Sequence, residues 1–413
     1  MRNEEVLHDH AIEVRTLASK IFRGTMRTTR RAFLLFTVLA PLLVAVCATG
    51  AEKTKGKYLV YIGTYTQGES KGIYAYRFDA ETGQSTSLGL AAATTNPSFL
   101  VIHPNHRFLY AVNEVADYDG KASGGVSAFV IDQQTGKLTL ANEVASLGAD
   151  PCYVSLDNAG KYVLVANYTG GSVAVFPVME NGGLGKASAF VQHSGSSVNP
   201  RRQEGPHAHW IGVSPDNRFA IAADLGLDEL IVYPFEAHQG TLAPNHHQWA
   251  KLVPGAGPRH FVFHPNGKFA YVIDELYSTI AEFSYDAAKG SLHELQTVSA
   301  LPKDFGGYND AAELQVHPTG KFLYASNRGH DSIAVFAIDA ATGALTPVEY
   351  VATQGKTPRN FAIDPTGSYL FAANQDSNNI VIFRIDPQTG RLTPTGQVLE
   401  APSPVSITFM ASE

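Results

Sequence analysis

The chain has 413 residues, of which 44% are hydrophobic, and a formal net charge of −7 at pH 7. This composition can bury a large core, and the 37 glycines and 22 prolines suit a fold with many turns. The acidic balance and the lack of a basic run after residue 56 argue against a nucleic-acid partner.

Residues 26–51 have the features of an export signal. A basic part is followed by the 15-residue apolar stretch 32–46 and then by small residues, with possible cleavage after Ala48 or Ala51. The arginines of the basic part are Arg27, Arg30 and Arg31. The segment Thr29–Leu34 also resembles the twin-arginine motif, which directs export of folded proteins. The sequence therefore predicts an exported, periplasmic protein that has no membrane contact once the signal is cleaved.

The N-terminal region leaves some alternatives open. Residues 1–25 are interpreted either as an unstructured segment or as a mis-assigned start, because Met26 directly precedes the basic part. An uncleaved signal would anchor the protein in the membrane. Cys47 suggests a lipoprotein, although Val46 is larger than the residue that usually precedes such a cysteine. After cleavage Cys152 is the remaining cysteine, so no intrachain disulfide is expected, and we interpret it as a buried structural residue.

A repeat of 47 to 57 residues fills the chain after residue 56. Each unit has an anchor residue, an alternating apolar strand and, in six of seven units, Asn or Asp six positions after the anchor. The anchors are Lys57, Arg107, Lys161, Arg218, Lys268, Lys321 and Ser368. A period of this length, built from short strands and glycine-rich turns, is typical of propeller blades. Seven units predict seven blades.

One unit illustrates the four strands expected in a blade. The alternating segment Gly257–Phe263 leads into the turn His264–Gly267, and Phe269–Ile273 returns as a second strand. A third strand follows at Thr279–Tyr285, and Lys289–Gly290 turns into the fourth. No sustained helical period occurs in the repeat region, so the predicted fold is all-β.

Two further patterns complete the predicted architecture. Asp132–Gly136, Asp339–Gly343 and Asp386–Gly390 all read Asp-x-x-Thr-Gly, which is typical of hairpin tips between third and fourth strands. The segment Pro402–Phe409 resembles a first strand without a blade after it. We expect it to join the blade opened by Tyr58–Ile62 and so close the ring. Residues 52–413 are thus predicted to form one seven-bladed β-propeller of four-stranded blades.

The predicted pairing brings polar residues together at one mouth of the central channel, called the rim below. In an antiparallel hairpin the start of the first strand lies beside the end of the second strand. The residues that this rule places at the rim are His207, His209, Arg259, Glu275, Arg328 and Arg359, with Glu114 and Glu313 nearby.

This cluster has a chemical interpretation. Three arginines at one mouth can bind an anionic substrate or stabilise an oxyanion, and a Glu or His among them can activate water. Hydrolysis of a lactone requires few catalytic groups beyond these. The alternative is that these charges form interblade salt bridges. The recurring Asn and Asp are expected to be structural, holding the turn after the second strand. No zinc spacing, phosphate-binding glycine loop or dinucleotide fingerprint occurs, so neither a metal nor a cofactor is predicted.

Several segments together resemble a known family. These segments are Tyr61–Tyr65, Gly205–His209, Gly257–His260, Asp274–Leu276, Ser326–Ile333 and Pro358–Gly367. They resemble the seven-bladed propeller lactonases, which include propeller-type 6-phosphogluconolactonases and fungal carboxymuconate cycloisomerases. The resemblance covers about residues 57–410.

The resemblance implies hydrolysis of a sugar lactone at the rim without a metal. By position, it implies catalytic roles for His207, His209, Arg259, Glu275 and Arg328, and we expect Arg359, Glu114 and Glu313 to bind substrate. As hypotheses for the roles, Arg259 and Arg328 bind the anionic group and the oxyanion, and Glu275 or a histidine assists the attack of water. One departure is Asp274, where the family pattern usually has Asn.

Three functions remain open from the sequence. The first is a lactonase acting on 6-phosphogluconolactone or on an unphosphorylated aldonolactone. The export signal leaves the choice between them open, since phosphorylated sugar lactones should be scarce outside the cytoplasm. The second is a muconate-type cycloisomerase, and the third is a non-catalytic propeller that binds carbohydrate or protein. The expected partner is a small-molecule lactone, and the expected assembly is a monomer or weak dimer.

Overall fold

The structure, a computed structural model, describes residues 56–412, so the predicted export signal lies outside the described residues. Within that range the strands form seven antiparallel sheets. We number these sheets as blades in chain order. None of the helices in the described range has the length and apolar character needed to cross a membrane.

The first three blades use the strands as follows. Blade 1 contains β1 Lys57–Thr64, β2 Gly72–Asp79 and β3 Gln84–Ala93. Blade 2 contains β4 Leu100–Ile102, β5 Phe108–Asn113, β6 Gly125–Ile131 and β7 Leu138–Ala145. Blade 3 contains β8 Pro151–Leu156, β9 Tyr162–Asn167, β10 Ser172–Pro177 and β11 Ala189–Gln192.

The remaining blades follow the same plan, with an extra short strand in blade 4. Blade 4 contains β12 Ala208–Val213, β13 Phe219–Asp224, β14 Glu229–Glu236, β15 Thr241–Leu242 and β16 Gln248–Lys251. Blade 5 contains β17 Pro258–Phe263, β18 Phe269–Asp274, β19 Thr279–Asp286 and β20 Ser291–Ser299. Blade 6 contains β21 Asp310–Val316, β22 Phe322–Arg328, β23 Ser332–Ile338 and β24 Leu345–Ala352. Blade 7 contains β25 Pro358–Ile363, β26 Tyr369–Asn374, β27 Asn379–Ile385 and β28 Leu392–Glu400, and β29 spans Pro404–Ala411. Two short 3₁₀ helices lie at Pro244–His246 and Gln375–Ser377.

The ring closes as the sequence predicts. Strand β29 pairs antiparallel with β1, from Tyr58 opposite Ala411 to Ile62 opposite Ile407, and is the innermost strand of blade 1. Because the last strand completes the first blade, the ring has no open sheet edge at its joint.

The core consists of seven apolar clusters, each between two neighbouring blades. Second strands such as β9 are buried along their whole length because both faces pack against other blades. Fourth strands such as β11 lie at the outer edge and alternate in exposure. At the joint between blades 7 and 1, the Phe78 and Phe371 rings pack edge-to-face with centroids 4.9 Å apart. The joint is therefore packed like the other interfaces.

The predicted hairpin tips are confirmed. The Asp132 carboxylate accepts hydrogen bonds from the backbone N–H of Gln134 (2.9 Å) and Thr135 (3.2 Å). Gly136 and Gly390 have φ of 73° and 72°, a conformation that glycine adopts without strain. These tips lie between third and fourth strands, so the local Asp and Gly chemistry decides where each blade turns.

The recurring Asn bridges the turn after its own strand, as predicted, and also links its blade to the preceding one. In blades 3, 6 and 7 its amide donates to the carbonyl of the residue directly after the preceding blade's fourth strand, whereas Asn113 in blade 2 donates to the Thr95 carbonyl (2.6 Å). The bonds in blades 3, 6 and 7 join Asn167 to Ser146 (3.1 Å), Asn327 to Ala300 (2.8 Å) and Asn374 to Thr353 (3.2 Å).

Blade 5 has Asp274 at this position. Its Oδ2 accepts a hydrogen bond from the Thr279 hydroxyl (2.7 Å), but its buried Oδ1 has no hydrogen-bond partner among the described residues. Burial raises the pKa of Asp274 to about 8. The folded protein therefore favours the protonated acid, which has the shape and donor capacity of Asn.

We expect the Asp274→Asn variant to be more stable than the wild type at neutral pH, by about 1 to 3 kcal/mol, because the amide stays neutral and supplies a donor where burial disfavours an ionisable carboxyl. Between about pH 4 and pH 8 the unfolded wild type loses this proton while the folded protein keeps it. Wild-type stability should therefore fall through this window, and the advantage of the variant should grow. Urea unfolding from pH 5 to pH 8 measures the effect.

The reverse change, Asn327→Asp in blade 6, should destabilise the protein with the same pH dependence. A difference in stability that does not depend on pH would contradict the explanation.

Candidate active site

The rim is built on β-bulges at the start of the innermost strands. The predicted strand pairing is confirmed, for example by Pro258 opposite Asp274. Directly after this first pair, the register shifts by one residue in four blades. The residues inside these bulges are Cys152, His209, Arg259 and Arg359. A bulged residue has no ladder partner and its side chain is re-aimed. The same irregularity thus places four side chains at the top of the channel.

Glu275 is the centre of the rim. It directly follows β18, and its buried carboxylate contacts three guanidinium groups: Arg259 Nε (2.8 Å), Arg328 Nη2 (2.9 Å) and Arg202. Burial alone would raise the pKa of Glu275, but the three guanidinium groups outweigh it and hold the pKa below its usual range. The carboxylate is therefore charged and fully engaged, which suits it to position arginines and not to accept a proton.

Arg259 connects the rim to the channel below it. Its Nη1 donates to the Ala312 carbonyl (2.8 Å) and lies 3.2 Å from His260 Nε2. Burial and the charges of Arg328 and Arg359 lower the pKa of Arg259 to about 10, so it remains a cation at neutral pH. Since the guanidinium can only donate, His260 Nε2 must accept, and its proton lies on Nδ1 facing Glu313 Oε1 (3.2 Å). Burial lowers the pKa of His260 to about 4, so the imidazole is neutral.

Arg202 is a rim residue that the sequence analysis missed. It lies in the long connection between β11 and β12, and its guanidinium also contacts the Tyr168 hydroxyl (3.3 Å). About a third of the side chain is exposed, against 13% for Arg328. Arg202 is therefore the outermost of the three guanidinium groups on Glu275. The one feature of the sequence that could have indicated Arg202 is the pair Arg201-Arg202, in a connection that reaches the same mouth of the channel.

Arg359 differs from the other rim arginines. Its guanidinium lies over the ring of Tyr65, 5.3 Å from the centroid, and makes no hydrogen bond to any other residue within 56–412. The Tyr65 hydroxyl in turn donates to both carboxylate oxygens of Glu114 (2.9 and 3.0 Å). Stacking fixes the plane of the guanidinium and leaves its N–H donors available.

The two predicted histidines have different environments. His207 stacks on Tyr168 with centroids 4.5 Å apart, and its Nδ1 contacts the Tyr168 carbonyl (3.1 Å). A carbonyl only accepts, so Nδ1 donates to it, and Nε2 lies 3.5 Å from the exposed carboxylate of Glu204. His209 is buried, with Nδ1 3.7 Å from Cys152 Sγ. Burial, reinforced by the charge of Arg259, lowers the pKa of His209 well below its usual value. Of the two, His207 is the one placed to exchange protons with a ligand.

The structure brings together most of the predicted site residues. His207, His209, Arg259, Glu275, Arg328 and Arg359 lie at the rim, and Glu114 reaches it through Tyr65. Glu313 does not lie at the rim: its carboxylate contacts His260 and the Asn360 amide, farther down the channel. Within residues 56–412, no three His, Cys, Asp or Glu side chains are grouped as a metal site requires.

Comparison with known proteins gives a consistent family. The family described as lactonase, 7-bladed beta-propeller, matches residues 59–409. A 6-phosphogluconolactonase of Bacillus subtilis is 41% identical over 308 residues, covering 75% of this chain and 85% of the relative. A 6-phosphogluconolactonase of Formosa agariphila is 38% identical over 311 residues, covering 74% and 86%. The solved structure of a periplasmic gluconolactonase from Pseudomonas aeruginosa has a TM-score of 0.81 at 37% identity, covering 86% of this chain and all of that one.

We expect the Glu275→Gln variant to lose about 3 to 5 kcal/mol of unfolding free energy at pH 7, because it leaves three guanidinium groups without their shared counter-charge. The lowered pKa means that Glu275 contributes stability above its unfolded-state value of 4.5, and that this contribution is lost as the pH falls below it. The difference between variant and wild type should therefore narrow on acidification. Denaturant unfolding at pH 7 and pH 4 measures both effects.

Glu229 provides the matched control for this substitution. It pairs with Lys251 at 3.1 Å, but the lysine side chain is 66% exposed. The Glu229→Gln variant should change stability by less than about 1 kcal/mol. Equal losses in the two variants would show that burial of the three guanidinium groups does not set the cost.

Proposed function

Because the chain belongs to the seven-bladed β-propeller lactonase family, we propose that it hydrolyses a sugar lactone bound at the rim, with Arg359 and His207 facing the reacting ester. The family membership supports a lactone hydrolase, and the rim supports the position of the substrate. The preferred substrate class is an unphosphorylated aldonolactone.

The observation that carries the proposal is the uncommitted guanidinium of Arg359. Arg202, Arg259 and Arg328 all contact Glu275, whereas Arg359 has its donors free among the described residues. A fixed cation with free N–H groups can stabilise the oxyanion that forms when water adds to the lactone carbonyl. Preorganisation by Tyr65 removes the cost of orienting it during the reaction.

The proton steps are assigned to His207. Its Nδ1 is held by the Tyr168 carbonyl, so Nε2 can take a proton from water as the water oxygen bonds to the carbonyl carbon. When the tetrahedral intermediate collapses, the ring C–O bond breaks and the proton passes from His207 to the departing ring oxygen. The product is an open-chain hydroxy acid, which ionises at neutral pH. Glu275 acts as a positioning residue that keeps Arg259 and Arg328 in place.

The charges at the rim support an unphosphorylated substrate. A phosphate dianion is usually bound by several donors from charged groups. Three of the four rim arginines already share the Glu275 carboxylate, which leaves Arg359 alone for a ligand anion. The predicted export signal supports the same substrate class, with the protein acting in the periplasm. The second candidate is 6-phosphogluconolactone, which the two curated relatives favour by their described activity.

Proton release by the purified protein on glucono-δ-lactone and on 6-phosphogluconolactone, corrected for spontaneous opening, tests the proposal. We expect acceleration that is greater for the unphosphorylated lactone. In the Arg359→Ala variant, kcat should fall by about 10²- to 10³-fold, because one oxyanion donor is lost. The matched control is Arg384→Ala: Arg384 also lies over a tyrosine ring, that of Tyr369 at 5.6 Å, but it is exposed on β27 and should leave kcat unchanged.

Each other outcome would change a specific part of the proposal. Preference for the phosphorylated lactone would reverse the substrate assignment and retain the reaction. No acceleration on either substrate would remove the sugar-lactonase proposal. Conversion of a muconolactone to an unsaturated diacid would then indicate a cycloisomerase.

For His207, we expect the His207→Gln variant to lose about 10²- to 10⁴-fold in kcat with little change in KM, since glutamine can keep the hydrogen bond to Tyr168 but cannot accept the proton. His246, in an exposed 3₁₀ helix, is the matched position, and His246→Gln should behave as the wild type. An unchanged kcat in His207→Gln would assign the base elsewhere.

A further inference from the structure

The central channel has a cavity at the end opposite the rim. Its walls come from later residues of the innermost strands, such as Val213, Phe263 and Gln315, and its volume is about 340 Å³. The rim residues Arg259 and Arg359, with His260 below them, line a space of only about 10 Å³. Small-molecule sites commonly measure about 300 to 1,000 Å³. The cavity is therefore large enough for a compact ligand, and packed side chains separate it from the proposed reaction site.

Aromatic rings form one side of this cavity. They come from the innermost strands of four consecutive blades, 2 to 5, or from the residue just before the strand. The rings are Phe99, Tyr153, Trp210, Phe261 and Phe263, and we call them the aromatic arc. Successive centroids are 4.2, 5.6, 5.3 and 5.0 Å apart, so the rings form one continuous surface.

The facing side of the cavity is polar and acidic. Blades 6 and 7 contribute Glu313, Gln315 and Asn360. The amide groups of Gln315 and Asn360 each donate one hydrogen bond, to the Phe361 carbonyl and to Glu313 respectively. Their carbonyl oxygens accept from the backbone N–H of Ile363 and Ile407, and Glu313 Oε1 accepts from its neighbour Leu314, so it is the negative charge of Glu313 that distinguishes this wall.

The residues that line the cavity favour a positive ligand, and the guanidinium of Arg259 lies beyond His260, outside the lining. Among the described residues that line it, Glu313 is the charged one, and no Lys or Arg is present. The faces of aromatic rings carry negative potential, which attracts a cation placed over them. The carboxylate opposite the aromatic arc adds to the same field. This end of the channel therefore has the opposite charge preference to the arginine-rich rim.

We propose that this cavity binds a small organic cation with an apolar body, such as an alkylated ammonium, over the aromatic arc with its charge towards Glu313. The site is separate from the rim and does not depend on the reaction proposed there. A neutral sugar, which could also stack on aromatic rings, is the competing ligand that the test distinguishes.

Trp210 provides a direct optical probe of the site. The chain has two tryptophans, and the other, Trp249, is 55% exposed on the outer strand β16 of blade 4. In the full-length Trp249→Phe protein, fluorescence therefore reports on Trp210 alone. We expect choline, titrated at constant ionic strength, to change this fluorescence in a saturable way. The uncharged analogue 3,3-dimethyl-1-butanol, which has the same shape, should bind at least 10-fold more weakly, as should glucose.

Variants of the facing wall test the role of the carboxylate. In the same background Glu313→Gln should weaken choline binding at least 10-fold, whereas Glu282→Gln, which alters a buried glutamate outside the cavity, should leave it unchanged. Circular dichroism checks folding. If Glu313→Gln does not fold, Phe263→Ala removes one ring at the far end of the arc and should weaken choline binding. No response to choline, equal binding of the uncharged analogue, or preferential binding of glucose would overturn the proposal.

Discussion

The rim depends on a single buried carboxylate. Three guanidinium groups would repel one another at the top of a narrow channel, and burying them without a counter-charge would cost several kcal/mol each. Glu275 makes the arrangement possible because its two oxygens face all three. The four rim arginines therefore have two different roles. Arg202, Arg259 and Arg328 form a fixed platform, and Arg359, held separately by Tyr65, is available to a ligand.

Four of the side chains at the rim lie at β-bulges in otherwise regular sheets. Each blade is stabilised by apolar clusters with its neighbours, and four blades also by an Asn side chain that reaches back to the preceding blade. Those interactions tolerate one extra residue at the start of an innermost strand. The bulges hold Cys152, His209, Arg259 and Arg359, so identical backbone geometry presents four different side chains to one space. Sequence variation at these positions can change the chemistry without changing the fold.

Much of the fold and part of the site could be predicted from the sequence. Repeat spacing indicated the blades, and simple counting along hairpins paired Pro258 with Asp274, which located Arg259 and Glu275 at one mouth. Counting named Glu313 only as near the rim; blade 6 skips two residues between Ala311 and Leu314 where the other bulged blades skip one, and Glu313 contacts His260 farther down the channel. Arg202 could not be placed because an irregular connection has no period. The aromatic arc could not be predicted either, since aromatic residues at strand spacing are as typical of a buried core as of a cavity.

Closure of the ring by β29 has a kinetic consequence. Tyr58 pairs with Ala411, so the first blade is completed only after almost the whole described chain has folded into place. The entropic cost of closing so long a loop rises slowly, by about 0.6 kcal/mol for each doubling of length, and weighs little on the final stability. Contacts between distant parts of a chain do slow folding. In the finished ring, every blade has two neighbours, and the first opening event must break an interblade cluster or separate β29 from β1. The same joint that delays assembly should therefore also delay unfolding, which gives the folded protein a long lifetime.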